Sequence, residues 1–291
     1  MRFRRQAPRT YHWSMEEVEM LSTKEIIRKL RSFGVDFKRK QFSEDVKRFY
    51  SASDLADHWC MIYDISAEWF DEDFIWMAAI VLWRKLTPDV VNSEQLDEMM
   101  QRGYDLKRER RIKECCNLWL EVWGHLKKRF SPDMKSIENA ESVFSGMQSL
   151  FNWCQDLELE LGNAGVEDAT FYEKRIEYCR EFYRMFPDTD SLVIKNMKRA
   201  EAESYFFLGE KEMGDEAFKK ILEEFPKSAW GYIGWGDMYW LFRRNEKLPP
   251  RNYDKAEKIY RMGLAKATSD KRVILDRLRD MEEEKKEIVM R

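Results

Sequence analysis

Apolar residues recur at i, i+3, i+4 and i+7 from one end of this chain to the other, and nowhere do they settle into the period-two alternation of a half-buried strand. Asn-Gly and Asp-Gly hairpin turns are missing as well. That periodicity predicts an all-α fold. Glycine and proline together make up only 19 of 291 residues while aromatics reach 14%, which excludes collagen-like and largely disordered chains. At about 150 residues per domain, the length predicts two domains or one elongated one.

Helix ends are written in capping chemistry. Ser14 with Glu17 and Ser22 with Glu25 have capping-box spacing, and Gly34 stands where a left-handed residue would end the helix Thr23 to Phe33. Further helices are expected over Lys38 to Phe49, from a cap at Ser51 or Ser53 through Ile62, and over Asp71 to Leu86, closed by Thr87-Pro88. Beyond these the pattern predicts Ser93 to Arg102, Asp105 to Phe130, Ile137 to Phe144, Ser149 to Leu161, Glu167 to Phe186, Asp190 to Gly209, Asp215 to Phe225, Ala229 to Arg243, Tyr253 to Ala267 and Asp270 to Val289. The connections are short, so successive helices should form antiparallel hairpins. We expect an N-terminal helical domain over 1–90, led by a basic arm (MRFRRQAPRTYHW) that packs on the body through Tyr11 and Trp13, and a second domain over 91–291.

The second helix of each pair repeats a small residue followed four later by a bulky one: Cys115 and Trp119, Cys179 and Tyr183, Ala217 and Ile221, Ala256 and Tyr260. Tyr232, Trp235, Gly236 and Tyr239, then Ala256, Tyr260 and Gly263, resemble the tetratricopeptide-repeat pattern, with an eight-residue excess in the loop RRNEKLPPRN. The best-formed repeat spans 229–268. STKEIIRKLRSFGVDF, FYSASDLADHW, GEKEMGDEAFKKILEEFP and WGYIGWGDMYW are similar to stretches of helical-repeat proteins of Gram-positive bacteria, some of which carry a SEC-C zinc motif. That cysteine motif is missing here, so no metal is carried over. The resemblance implies a right-handed stack of helix hairpins with an interaction role.

Within Trp230 to Arg244 a second stripe, Trp230, Ile233, Asp237, Trp240 and Arg244, runs on a different face from the repeat residues. In tetratricopeptide-like arrays these positions line a peptide-binding groove. We therefore expect Trp230, Ile233, Asp237 and Trp240 to take partner side chains, with Asp237, Arg243 and Arg244 setting polarity at the rim; the competing account is that the tryptophans pack inside the molecule, and the same stripe could serve as a homodimer interface. Gly231, Gly234 and Gly236 point to close backbone approach, since each costs up to about 1 kcal/mol inside a helix.

Chemistry is sparse. Three histidines (His12, His58, His125) and five cysteines without a CxxC pair give no metal-ligand spacing, and phosphate-loop, dinucleotide, nucleophile-elbow and HExxH motifs are missing. We expect no catalytic residues, no cofactor and no metal. The longest apolar run, Phe74 to Trp83, is half the length a bilayer span needs, which predicts a buried helix and no membrane partner. An odd cysteine number and no leader-like N-terminus predict a cytoplasmic chain. The formal charge of −3 gives no general pull on nucleic acid; that alternative rests on MRFRRQAPR, Lys38-Arg39-Lys40 and the stretch KRERRIK from Lys107 to Lys113, where acids are interspersed. An enzyme of unrecognised type is the other alternative, and would need a pocket with convergent titratable groups such as His58 or His125.

Overall fold

The computed structural model describes residues 12–67, 69–241 and 247–289, and among these every regular element is helical. In chain order they are α1 (Met15–Met20), α2 (Thr23–Ser32), α3 (Arg39–Arg48), α4 (Ala52–Ile62), α5 (Phe74–Leu86), α6 (Ser93–Arg108), α7 (Ile112–Lys127), α8 (Ile137–Ala140) with a 3-10 turn (Glu141–Val143), α9 (Leu150–Glu167), α10 (Thr170–Met185), α11 (Ser191–Leu208), α12 (Lys211–Glu224), α13 (Ala229–Trp240), α14 (Tyr253–Lys266) and α15 (Lys271–Val289).

Both capping boxes form: the Ser14 and Ser22 hydroxyls accept from the amides of Glu17 and Glu25, whose carboxylates return to the cap amides. Gly34 and Gly209 take the left-handed conformation, at φ +101° and +86°, beyond α2 and α11. Several expected boundaries move; α5 begins at Phe74 and α12 at Lys211, for example. Gly103 lies inside α6, because a side chain there would meet Trp119 of α7, with a Cβ only 1.8 Å from Nε1; it is a contact glycine and the helix runs through it. The break comes at Arg110, which has φ +61°, so that the expected helix Asp105 to Phe130 is divided between α6 and α7. Likewise α9 continues past Leu161 through Gly162 and Gly165, which give way to Arg175 and Tyr172 of α10.

The chain divides into two compact units, one comprising residues 1–101 with 142–148 and the other 102–141 with 149–291. The first unit buries Leu30, Phe42, Leu55, Trp59, Phe74 and Trp83 as its core. The run Phe74 to Trp83 is the heart of α5, and no helix of the described residues is long and apolar enough to cross a membrane. Trp13 packs edge-on against Phe74 at 4.9 Å and donates to Asp71 at 2.6 Å; Tyr11 and the preceding basic residues lie outside the described ones. Residues 142–148 are held in this unit by Asp97, whose Oδ1 accepts from the amides of Met147 and Gln148 at 2.9 and 3.0 Å, and by Ser145 donating to Asp54.

In the second unit α9 packs on α10, α10 on α11, α11 on α12, α13 on α14 and α14 on α15. Trp123, Tyr178, Phe182 and Phe186 form one aromatic cluster between α7 and α10. The small-then-bulky register holds at Cys115 with Trp119 and at Ala256 with Tyr260, all buried. In α12 the expected Ile221 is buried and Ala217 half-buried, and a second such pair stands three residues earlier: Gly214, whose Cβ would stand 2.4 Å from the Phe206 ring, and the buried Phe218.

Candidate functional site

The structure places the expected stripe inside the second unit. Ile233 is 1%, Asp237 5% and Trp240 3% exposed, while Trp230 is 40% exposed. Eleven of the twelve residues of α13 are buried, Trp230 being the exception, so a partner could reach the other three only by displacing their neighbours. That corrects the groove reading of Ile233, Asp237 and Trp240; Arg243 and Arg244 lie outside the described residues. The physical reason is α15, a helix whose cover could not be read from α13 alone. Its Arg277 reaches back to Asp237, Nε to Oδ1 at 3.1 Å. The hydroxyl of Tyr260 donates to the same oxygen at 2.6 Å and accepts from Trp240 Nε1. Burial pushes the Asp237 carboxyl up to about 6, with Tyr260 and Arg277 pulling the other way.

All three glycines of α13 are contact points. A Cβ would stand 2.8 Å from Leu222 at Gly231, 3.0 Å from Arg199 at Gly234 and 2.3 Å from Tyr260 at Gly236. Trp230 faces the Arg199 guanidinium, 5.7 Å from its ring centre, and Arg199 in turn pairs with Glu203 at 3.3 Å. Glu203 also approaches Arg175, a buried arginine whose Nε donates to Glu158 at 2.7 Å and which packs on Gly162.

A second feature, on α10, α11 and α12, went unread in the sequence. It is a groove of about 420 Å³ whose apolar strip is Met213, Ala217 and Ile221. On its α10 side stand Arg180, Tyr183 and Arg184; on its α12 side stand Glu212, Glu216, Lys220 and Glu224. Glu201 at its floor is buried and ties the helices together, accepting from Arg180 Nε at 2.7 Å and from the Tyr183 hydroxyl at 2.8 Å. Burial and that carboxylate hold the Tyr183 phenol well above its ordinary range. Lys198 is paired with Glu224. Arg184 and Lys220, both exposed, have no carboxylate within ion-pair distance among the described residues. The only advance signal is that charged residues of both signs punctuate α10 and α12; which helices face one another is a tertiary fact.

Beside the groove, Asp215 clamps α12 to α13 and α14. Its Oδ1 accepts from Trp235 Nε1 and the Tyr239 hydroxyl, each at 2.6 Å, and its Oδ2 meets Lys255 Nζ at 2.8 Å. These three donors hold its carboxyl below the ordinary value against the opposing effect of burial.

The remaining chemistry-bearing groups stand apart. Cys115, Cys116, Cys154 and Cys179 are buried with their thiols pushed up by burial, which makes them poor nucleophiles. Desolvation lowers the pKa of His125, whose nearest acid is Glu121 at 4.0 Å. Among the described residues no three His, Cys, Asp or Glu side chains gather so as to hold a metal ion. In the KRERRIK stretch Lys107 pairs with Glu160, Arg108 with Asp105, Arg111 with both Glu109 and Glu114, and Lys113 with Glu167, so little of its positive charge is left for a polyanion. No protein-family model matches the chain, and no curated protein or solved structure matches it.

Proposed function

We propose that the second unit is a tetratricopeptide-like, non-enzymatic module that recognises a segment of another protein, and that the segment lies in the groove of α10, α11 and α12. The reading rests on one observation: an apolar strip, Met213, Ala217 and Ile221, flanked by two exposed cations, Arg184 and Lys220, that have no carboxylate partner among the described residues. Such a strip suits short apolar side chains, and the cations suit acidic residues next to them in the partner; arginine anchors of this kind commonly carry much of the affinity in protein recognition. Met213, exposed on α12, adapts its shape to more than one apolar side chain. Stacking of the hairpins in a right-handed array would set α10 and α12 side by side with α11 as floor. Five free thiols support a reducing compartment such as the cytoplasm.

The test is selection of a displayed library of twelve-residue peptides on the purified chain. Enrichment of sequences that combine acidic and small apolar residues is expected, with binding weakened about tenfold or more by Arg184→Glu with Lys220→Glu, a pair of exposed substitutions that should leave the melting temperature unchanged. No enrichment, or enriched peptides indifferent to the folded double variant, would remove the groove from consideration.

A further inference from the structure

A separate cavity, of about 250 Å³, lies in the first unit between α3, α4 and the 35–38 turn. Helix α3 presents Gln41, Asp45 and Arg48 to it at i, i+4 and i+7, one face of the helix. Asp45 is only 7% exposed, yet its carboxylate has a single neutral donor, Gln41 Nε2 at 2.8 Å, and no cation within ion-pair distance among the described residues. Arg48, less than one turn away, lies on the Phe49 ring at 4.8 Å and likewise has no carboxylate partner among them. The His58 ring lies against the same phenyl group at 5.0 Å. On the same wall Lys38 is already taken, paired with Asp36 at 2.6 Å.

A carboxylate so deeply buried is costly unless a cation or several donors meet it. Here one neutral amide meets it, and it faces a cavity. Arg48, exposed and with no carboxylate within ion-pair distance among the described residues, borders the same space and leaves its guanidinium available to an anion, and Phe37 and Trp59 line the cavity with aromatic surface that favours a cation. We propose that this cavity binds a small zwitterion, a free α-amino acid, with its ammonium group on Asp45 and its carboxylate on Arg48. The volume sits just below the roughly 300–1,000 Å³ of common small-molecule sites, which accommodates an amino acid and excludes a nucleotide. The assignment is independent of the α10 to α12 groove.

The experiment is isothermal titration of the full chain with each of the twenty free amino acids, followed for any that binds by its deaminated acid and its decarboxylated amine. Binding of at least one amino acid is expected, weakened about tenfold or more by Asp45→Asn and by loss of the ammonium group, and severalfold by Arg48→Gln and by loss of the carboxylate. Absence of heat for all twenty up to about 10 mM overturns the proposal. So does equal affinity in a folded Asp45→Asn variant. Should that variant fail to fold, the wild-type chain decides: a deaminated acid that binds as tightly as its amino acid overturns the assignment.

Discussion

Asp215 and Asp237 stand on neighbouring helices and respond to acid in opposite senses. The Asp237 carboxyl titrates near 6 in the folded chain against an ordinary 3.8, because burial outweighs its two donors. Between those values the folded state holds the extra proton, so this group's contribution to stability falls as pH rises from about 4 to 6, by something on the order of 2–3 kcal/mol. Asp237→Asn keeps an acceptor for the Tyr260 hydroxyl and should flatten that slope, as urea unfolding at pH 4.5 and 7 would reveal. For Asp215, held below 3.8, stability is present above the ordinary value and lost as pH falls through the lowered one. Two glycines give a further contrast. Gly103→Ala would drive a Cβ into Trp119 and should cost about 2 kcal/mol or more, whereas Gly124, in the interior of α7 with nothing within 4 Å of a Cβ, should tolerate alanine with a gain of up to about 1 kcal/mol. Denaturant midpoints of the two variants should therefore move in opposite directions.

Among the elements, α4 shows how a helix can begin on another helix's side chain. Ser51 caps it, and Glu94 of α6 accepts from the Ser51 hydroxyl at 2.7 Å and from the amides of Ala52 and Ser53 at 3.0 and 2.9 Å. These bonds hold the Glu94 carboxyl below its ordinary value although burial opposes them. Glu94→Ala should cost about 1–2 kcal/mol and raise hydrogen exchange selectively at the first amides of α4; protection unchanged there would show the cap to be dispensable. The local half of this arrangement was legible, since Ser51 announces a cap; the half supplied by α6 was not, because no local pattern names a partner 43 residues away. The same division runs through the chain. Capping boxes, the glycine that follows α2 and most helix positions follow from neighbours in sequence. The break expected between Arg102 and Asp105 does not form, because Gly103 lies within α6 against Trp119, a contact that no local pattern announces. The second stripe on α13 follows from helical spacing, but its cover, Arg277 and Tyr260, comes from α15 and α14.

On the scale of the whole molecule, the all-α class was legible because a 3.6-residue period needs no knowledge of partners. The groove was not, because it exists only where α10, α11 and α12 meet. Nor was the division into units, which falls inside α6 and returns residues 142–148 to the first unit. That return matters for a chain made from one end. When residue 101 has been added, Asp97 still awaits the amides of Met147 and Gln148, and the polypeptide must grow by 47 more residues before they exist. At about 5–20 residues per second this is a wait of roughly 2–9 s, during which the first unit is unfinished. Nascent chains halted with residue 101 emerged should be cleaved readily by protease within α1 to α5, and those halted with residue 148 emerged should resist. The first unit is thus completed by a sequence that its own ribosome has not yet read when residue 101 is added.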